Sequence, residues 1–172
     1  MILKASQRSG AKQLGLHLLK TEENEHVEIH EVSGFISDTV MGAMNEAYAA
    51  ARGLAVPRLA LLAPPASPHA YTRLFAAVFG LSEDTRARLQ QRVEAREGIL
   101  MRQFEPAAVG PRVAQPTLIV HDREDRINRF ADAEAFRDAI PGAQLMETRG
   151  LGHTRLLRDE AVVRAVVAHL RD

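Results

Sequence analysis

Two stretches of the sequence, "RLALLA" from residue 58 and "TLIV" from residue 117, are almost unbroken apolar runs. A strand wetted on one side alternates apolar and polar residues, so a strand with no polar face must be covered on both. Such strands occur in parallel sheets sandwiched between helices, and these two runs push the chain toward an α/β layer fold. Pro64 and Pro65 close the first run, because proline has no N–H to give a ladder.

The remaining segments fill in around these strands. "ILKAS" reads as a short first strand, and "GAKQLGLHLLK" as a helix with Leu14, Leu18 and Leu19 on one face. After the polar loop "TEENE", "HVEIHEV" alternates, with Val27 and Ile29 facing one way and His26, Glu28 and His30 the other. A helix follows in "TVMGAMNEAYAAARG", capped by Ser37 or Asp38, striped by Val40, Met44, Ala47 and Ala51, and stopped by Gly53. Residues 68–98 read as two weakly hydrophobic helices forming a small cap, with Ser82 at the start of "EDTRARLQQRVEARE". "PAAVGPRVAQP" is a connector, "FADAEAFRDAI" a helix, "AQLMET" a third strand of this half, and "EAVVRAVVAHL" a final core helix with His169 near its end. The order predicts an α/β, three-layer domain over 1–172 with a mostly parallel sheet of about five strands. A βαβα segment, 1–52, precedes the rest, 53–172.

Lys plus Arg and Asp plus Glu both total 22, so no net basic field attracts nucleic acid or a membrane surface. The absence of cysteine excludes disulfides, thiolate zinc sites and cysteine nucleophiles, and fits a cytoplasmic protein. "MILKASQRSG" has no long apolar core, and no run approaches the roughly 20 apolar residues that span a bilayer.

In open α/β sheets, functional groups gather beyond the carboxyl ends of the strands. After "TLIV" comes "HDREDRIN", which carries Asp122, Glu124 and Asp125; after "AQLMET" comes "RGLGHTRLLRD", with His153 in a glycine-flanked turn. Asp125 and His153 are 28 positions apart, one at each strand end, as an acid–histidine pair requires. The acid would fix the imidazole tautomer and the imidazole would take a proton from a nucleophile. Gly150 and Gly152 allow the sharp backbone turn that aims the ring into a cleft.

The motifs "RLALLAPP", "PTLIVHDREDRI" and "GLGHTRLLRDEAVV" resemble the α/β-hydrolase family from about Gly53 to Asp172. The resemblance implies that Asp125 is the triad acid, His153 the triad histidine, and 68–98 the family's cap insertion. The sequence departs from the family at "RFAD", where a proline often follows the acid. The family's nucleophile sits on a G-x-S-x-G turn ahead of the acid, and no such motif is present. Register back from "RLALLAPP" puts Val40 in the nucleophile's place, followed by Met41, Gly42 and Ala43, and valine cannot attack a carbonyl.

The first 50 residues resemble the N-terminus of plasmid-mobilisation relaxases of the MobA/VirD2 type. Relaxases nick DNA through a tyrosine and a histidine-held metal, and no histidine cluster matching theirs is present here. On this reading the chain is composite, truncated and chimeric, with its junction near "AYAAARG".

Blander roles compete for several of these residues. Asp122 and Glu124 read as turn and surface charges, and His26, Glu28 and His30 as a solvated strand face rather than a zinc or iron site. Ser37 and Thr39 read as caps, Tyr48 as packing rather than a relaxase nucleophile, and Arg8 and Lys12 as surface charge. The expected function is a hydrolase-related protein of esterase or thioesterase ancestry, inactive or weak, with Asp125 and His153 but no elbow serine. Its ligand would be a small ester or thioester, with no cofactor and no metal; a homo-oligomer is left open. The alternatives are a relaxase-derived DNA-binding fragment, against which the neutral charge argues, and a non-functional gene fusion.

Overall fold

The computed structural model describes residues 2–4, 17–19 and 45–171. The chain divides into two compact units, 43–68 with 100–172 and 1–42 with 69–99. The sheet that carries the candidate site lies in the first of these.

Its strands are β3 (Leu59–Leu62), β4 (Thr117–Asp122) and β5 (Gln144–Thr148), all parallel, in the order β3-β4-β5. Leu61 pairs with Ile119, and Ile119 with Leu145. All six residues of β4 are buried, as the unbroken apolar run predicts for the central strand of a covered sheet. Alternation then sorts the core onto two faces. Leu59, Leu61 and Ile119 pack with Ala47 and Ala50 of helix α1 (Asn45–Ala51) and with Ala133 and Phe136 of α5 (Phe130–Ala139). Leu118 and Val120 point the other way, onto Leu156 and onto Val162 of α7 (Glu160–Arg171). Helix, sheet and helix thus form three layers. Each fully buried large apolar side chain, Ile119 and Phe136 among them, contributes about 1.5–3 kcal/mol over an exposed one.

The connector 106–116 is more ordered than its proline and glycine content predicts. It forms a short helix α4 (Pro106–Val109) running into a 3-10 turn (Gly110–Arg112) that packs on α5. A Cβ on Gly110 would sit 2.5 Å from Ala139 Cβ and 2.6 Å from the Ala139 carbonyl, so this close approach demands glycine. Asp159 starts α7 by accepting hydrogen bonds from the N–H groups of Ala161 and Val162, both at 3.0 Å.

The other unit holds strands β1 (Ile2–Lys4) and β2 (His17–Leu19) and helices α2 (Pro68–Phe79) and α3 (Glu83–Glu97), α2 starting at the unit boundary. Ser82 caps α3 by accepting from Thr85 N at 3.2 Å, and Gly98 ends it at a φ of 66°. Arg86 donates to Thr72 Oγ1 at 3.1 Å, joining α3 to α2.

Among the described residues the parallel sheet has three strands. Three expectations need correction. The helix expected over "GAKQLGLHLLK" gives way at His17–Leu19, which pairs antiparallel with Ile2–Lys4 in a separate two-stranded sheet. Leucines spaced for a helical face served equally well in a ladder, and tertiary pairing decided. The final helix is only partly core: Val162 is buried, whereas Val163, Val167 and Leu170 are exposed because they lie off the face that meets the sheet. Asp122 is a buried strand residue and not a surface charge, because the β4 ladder continues two residues past the apolar run. The strand expected at "HVEIHEV" lies outside the described residues.

Candidate active site

Two loops leave the carboxyl ends of β4 and β5, and they are tied together first by Asp122. Its Oδ2 accepts from Thr148 Oγ1 at 2.8 Å and Leu151 N at 3.0 Å, and its Oδ1 from Glu124 N at 2.9 Å. Burial pushes this carboxyl up, but the N–H groups of Leu151, Glu124 and Gly152 and the Thr148 hydroxyl outweigh it, leaving the carboxyl below the usual range. Asp122 therefore binds the two loops as a charged strut.

Asp125 sits one turn further on. Its Oδ1 accepts from the backbone N–H groups of Ile127 at 2.7 Å and Asn128 at 3.0 Å. That turn leaves Oδ2 facing the other loop, where His153 Nδ1 lies 2.8 Å away. The Asp125 side chain is fully buried and that of His153 is one-third exposed (33%). His153 is in the first turn of α6 (Gly152–Arg155), entered through Gly150 at a φ of 77° and Gly152 at 63°. Both angles are left-handed, so the turn that aims the ring depends on glycine at each place. With Nδ1–H given to the carboxylate, Nε2 keeps its lone pair, and among the described residues no group bonds to it.

The third strand is bound in through Asn128, whose Nδ2 donates to Ala63 O at 2.7 Å. Ala63 follows β3 at a φ of 47°, unusual for a residue with a Cβ, and its own N–H donates to Val120 O at 2.8 Å. Behind Asp125 lies His121, fully buried on β4, with Nε2 3.1 Å from Asn128 O and 3.5 Å from Asp125 Oδ2.

The structure thus brings Asp125 and His153 together. Glu124 is exposed, and Tyr48 packs against the Phe104 ring with centroids 4.5 Å apart. His169 Nε2 lies 3.1 Å from Leu59 O, a sheet contact away from this site. Val40, Ser37, Thr39, His26, Glu28, His30, Arg8 and Lys12 lie outside the described residues. Among the described residues no three His, Asp or Glu gather as a metal site, and no helix is long and apolar enough to cross a membrane. The sequence reading missed His121 and Asn128. Strand alternation places His121 on the Ile119 face, but only the loop's return brings the Asn128 carbonyl to it.

Residues 100–172 match the model of an α/β-hydrolase domain family described as TAP-like protein. No curated protein sequence matches the chain. Among solved structures, Rv0554 from Mycobacterium tuberculosis is 16% identical with a TM-score of 0.54, over 75% of this chain and 62% of that one. An alpha/beta hydrolase enzyme from the metagenome of Mar Chica lagoon sediments, Morocco, is 14% identical with a TM-score of 0.51, over 81% and 68%. A serine hydrolase involved in carbazole degradation is 16% identical with a TM-score of 0.51, over 76% and 60%. The fold is α/β-hydrolase-like. The chain spans less than two thirds of the length of the first and third of these proteins.

Proposed function

We propose that the chain carries the acid–base half of a serine-hydrolase site, with Asp125 as orienting acid and His153 as general base toward a small ester or thioester. The observation that carries this reading is the 2.8 Å approach of His153 Nδ1 to an Asp125 carboxylate whose other oxygen is held by two backbone N–H groups. A carboxylate so fixed keeps the imidazole in the tautomer with a free Nε2 lone pair. The match of residues 100–172 to a hydrolase family, and the serine hydrolase among the similar folds, support the same class.

By register with the hydrolase pattern, Val40 holds the nucleophile's place, so the attacking group is water. Water adds to the acyl carbon as Nε2 takes its proton; collapse of the tetrahedral adduct breaks the ester bond, and the imidazolium returns the proton to the leaving alcohol. Without a covalent step, only weak hydrolysis is expected.

A fluorophosphonate probe and p-nitrophenyl acetate test this. The expected result is no labelling, with slow ester hydrolysis above buffer that His153→Ala abolishes. Robust labelling would overturn the missing nucleophile and point to a hydroxyl such as Ser37. Equal hydrolysis by the wild type and His153→Ala would overturn the acid–base reading, and salt-dependent binding of single-stranded DNA would favour the relaxase-derived alternative.

A further inference from the structure

We infer that His121 is a positioning residue for the Asp125–His153 pair. The inference rests on the acid–base reading above and goes beyond it, because His121 contacts the acid loop at Asn128 and Asp125 and not the free nitrogen of His153.

Three observations about this side chain converge. His121 is fully buried in the central strand, between Val120 and Asp122, with its ring edge-on to Phe130. Its Nδ1 is buried with no hydrogen-bond partner among the described residues, so as pure packing it is a poor choice. Its other nitrogen is placed where the acid loop closes. Nε2 lies 3.1 Å from Asn128 O and 3.5 Å from Asp125 Oδ2.

The protonation of the ring follows from these partners. A carbonyl oxygen only accepts, so Nε2 carries the proton and Nδ1 the orphaned lone pair. The Nε2–H bond holds the Asn128 carbonyl, and the N–H of the same residue grips Asp125 Oδ1 at 3.0 Å. Asn128 also reaches Ala63 O at 2.7 Å, so one buried N–H secures the loop that ties β3 to the acid. At 3.5 Å the same N–H is too long for a second full hydrogen bond, yet its positive end still faces the carboxylate oxygen that receives His153. The edge-on Phe130 ring, with centroids 5.8 Å apart, sets the orientation of His121. With the loop so held, Oδ1 accepts two backbone N–H groups and Oδ2 is left to take its one short hydrogen bond from His153.

The test reads the Asp125–His153 contact directly and needs no catalysis. Histidine-15N-labelled full chain is compared with His121→Gln, whose side-chain amide can place a donor near Nε2, and with His121→Leu, which has none. In wild type the His153 Nδ1–H resonance is expected downfield and protected. His121→Leu should speed its exchange with water on the order of tenfold, the scale of one net hydrogen bond. His121→Gln should restore most of the protection. If His121→Leu does not fold, His121→Phe keeps the contact with Phe130, removes the donor and reads the same effect. Equal protection in folded wild type and donor-free variant would overturn the inference while leaving the acid–base reading intact. No protected resonance in wild type would overturn both.

Discussion

His153 Nδ1 lies 2.8 Å from Asp125 Oδ2, while the opposite oxygen of Asp125 accepts two backbone N–H groups. The carboxylate is therefore anchored by the backbone and offers one oxygen to the imidazole. Asp125→Asn keeps the shape but can turn an amide N–H toward His153, reversing the tautomer. Ester hydrolysis should fall to the His153→Ala level, measured as initial rates at equal protein. Asp125→Ala should also cost about 1–3 kcal/mol in a urea titration, because two loop N–H groups lose a buried acceptor.

Asp122 makes stability depend on acid. Its folded carboxyl is held below its ordinary value of 3.8, so between the two values the unfolded state binds more protons. The stabilisation is fully present above the unfolded value and is lost as pH falls through the folded one. At pH 7, Asp122→Asn should be less stable than wild type by about 1–3 kcal/mol. That gap should begin to close as pH falls below about 4. Urea midpoints across this range check it, and a gap that stays constant would show that Asp122 is not the acid-sensitive strut.

The sheet and its two loops were legible because they rest on local signals. Short unbroken apolar runs bounded by proline fit covered strands, and a carboxylate and a glycine-flanked histidine just beyond two strands converge at one sheet end. What the sequence hid depends on return contacts. His121 and Asp122 lie past the apolar run, yet the ladder continues through them to Glu147 and Thr148, which buries both. Leu18 and Leu19 fit a helical stripe until pairing with Leu3 and Ile2 decided otherwise. The final helix carries apolar residues on more than one side, and a stripe in sequence does not say which side meets a sheet.

Gly110 has no room for a methyl group. A Cβ there would meet Ala139 Cβ at 2.5 Å and the Ala139 carbonyl carbon and oxygen at 2.6 Å. Gly110→Ala should destabilise by about 1–3 kcal/mol through overpacking, measured by urea unfolding. Since most of the clash is with backbone, adding Ala139→Gly should recover little; full recovery would mean that the side chain alone sets the fit.

Core truncation gives a yardstick for these effects. Phe136 is 3% exposed and packs from α5 into the cluster beneath Leu61 and Ile119. Phe136→Ala should cost about 3–5 kcal/mol, well above the loop substitutions. A thermal-unfolding loss no larger than that of Gly110→Ala would indicate that this face of the sheet is less tightly packed than its burial implies.

Ala63 sets strain against packing at the end of β3. Its φ of 47° costs a residue with a Cβ roughly 1–2 kcal/mol, which glycine would not incur. Opposing this, Ala63 is only 3% exposed, and removing its methyl group forfeits about 0.8 kcal/mol of burial. Glycine also gives the unfolded chain more freedom, worth a further 0.4–1 kcal/mol or so. The terms nearly cancel, so Ala63→Gly should shift stability by less than about 1 kcal/mol in either direction. Ala63→Val should be clearly worse, because a β-branched side chain fits this conformation poorly. Urea unfolding of the two variants decides it: a glycine variant as damaged as the valine one would mean that the Ala63 methyl, and not its backbone angle, is what this corner requires.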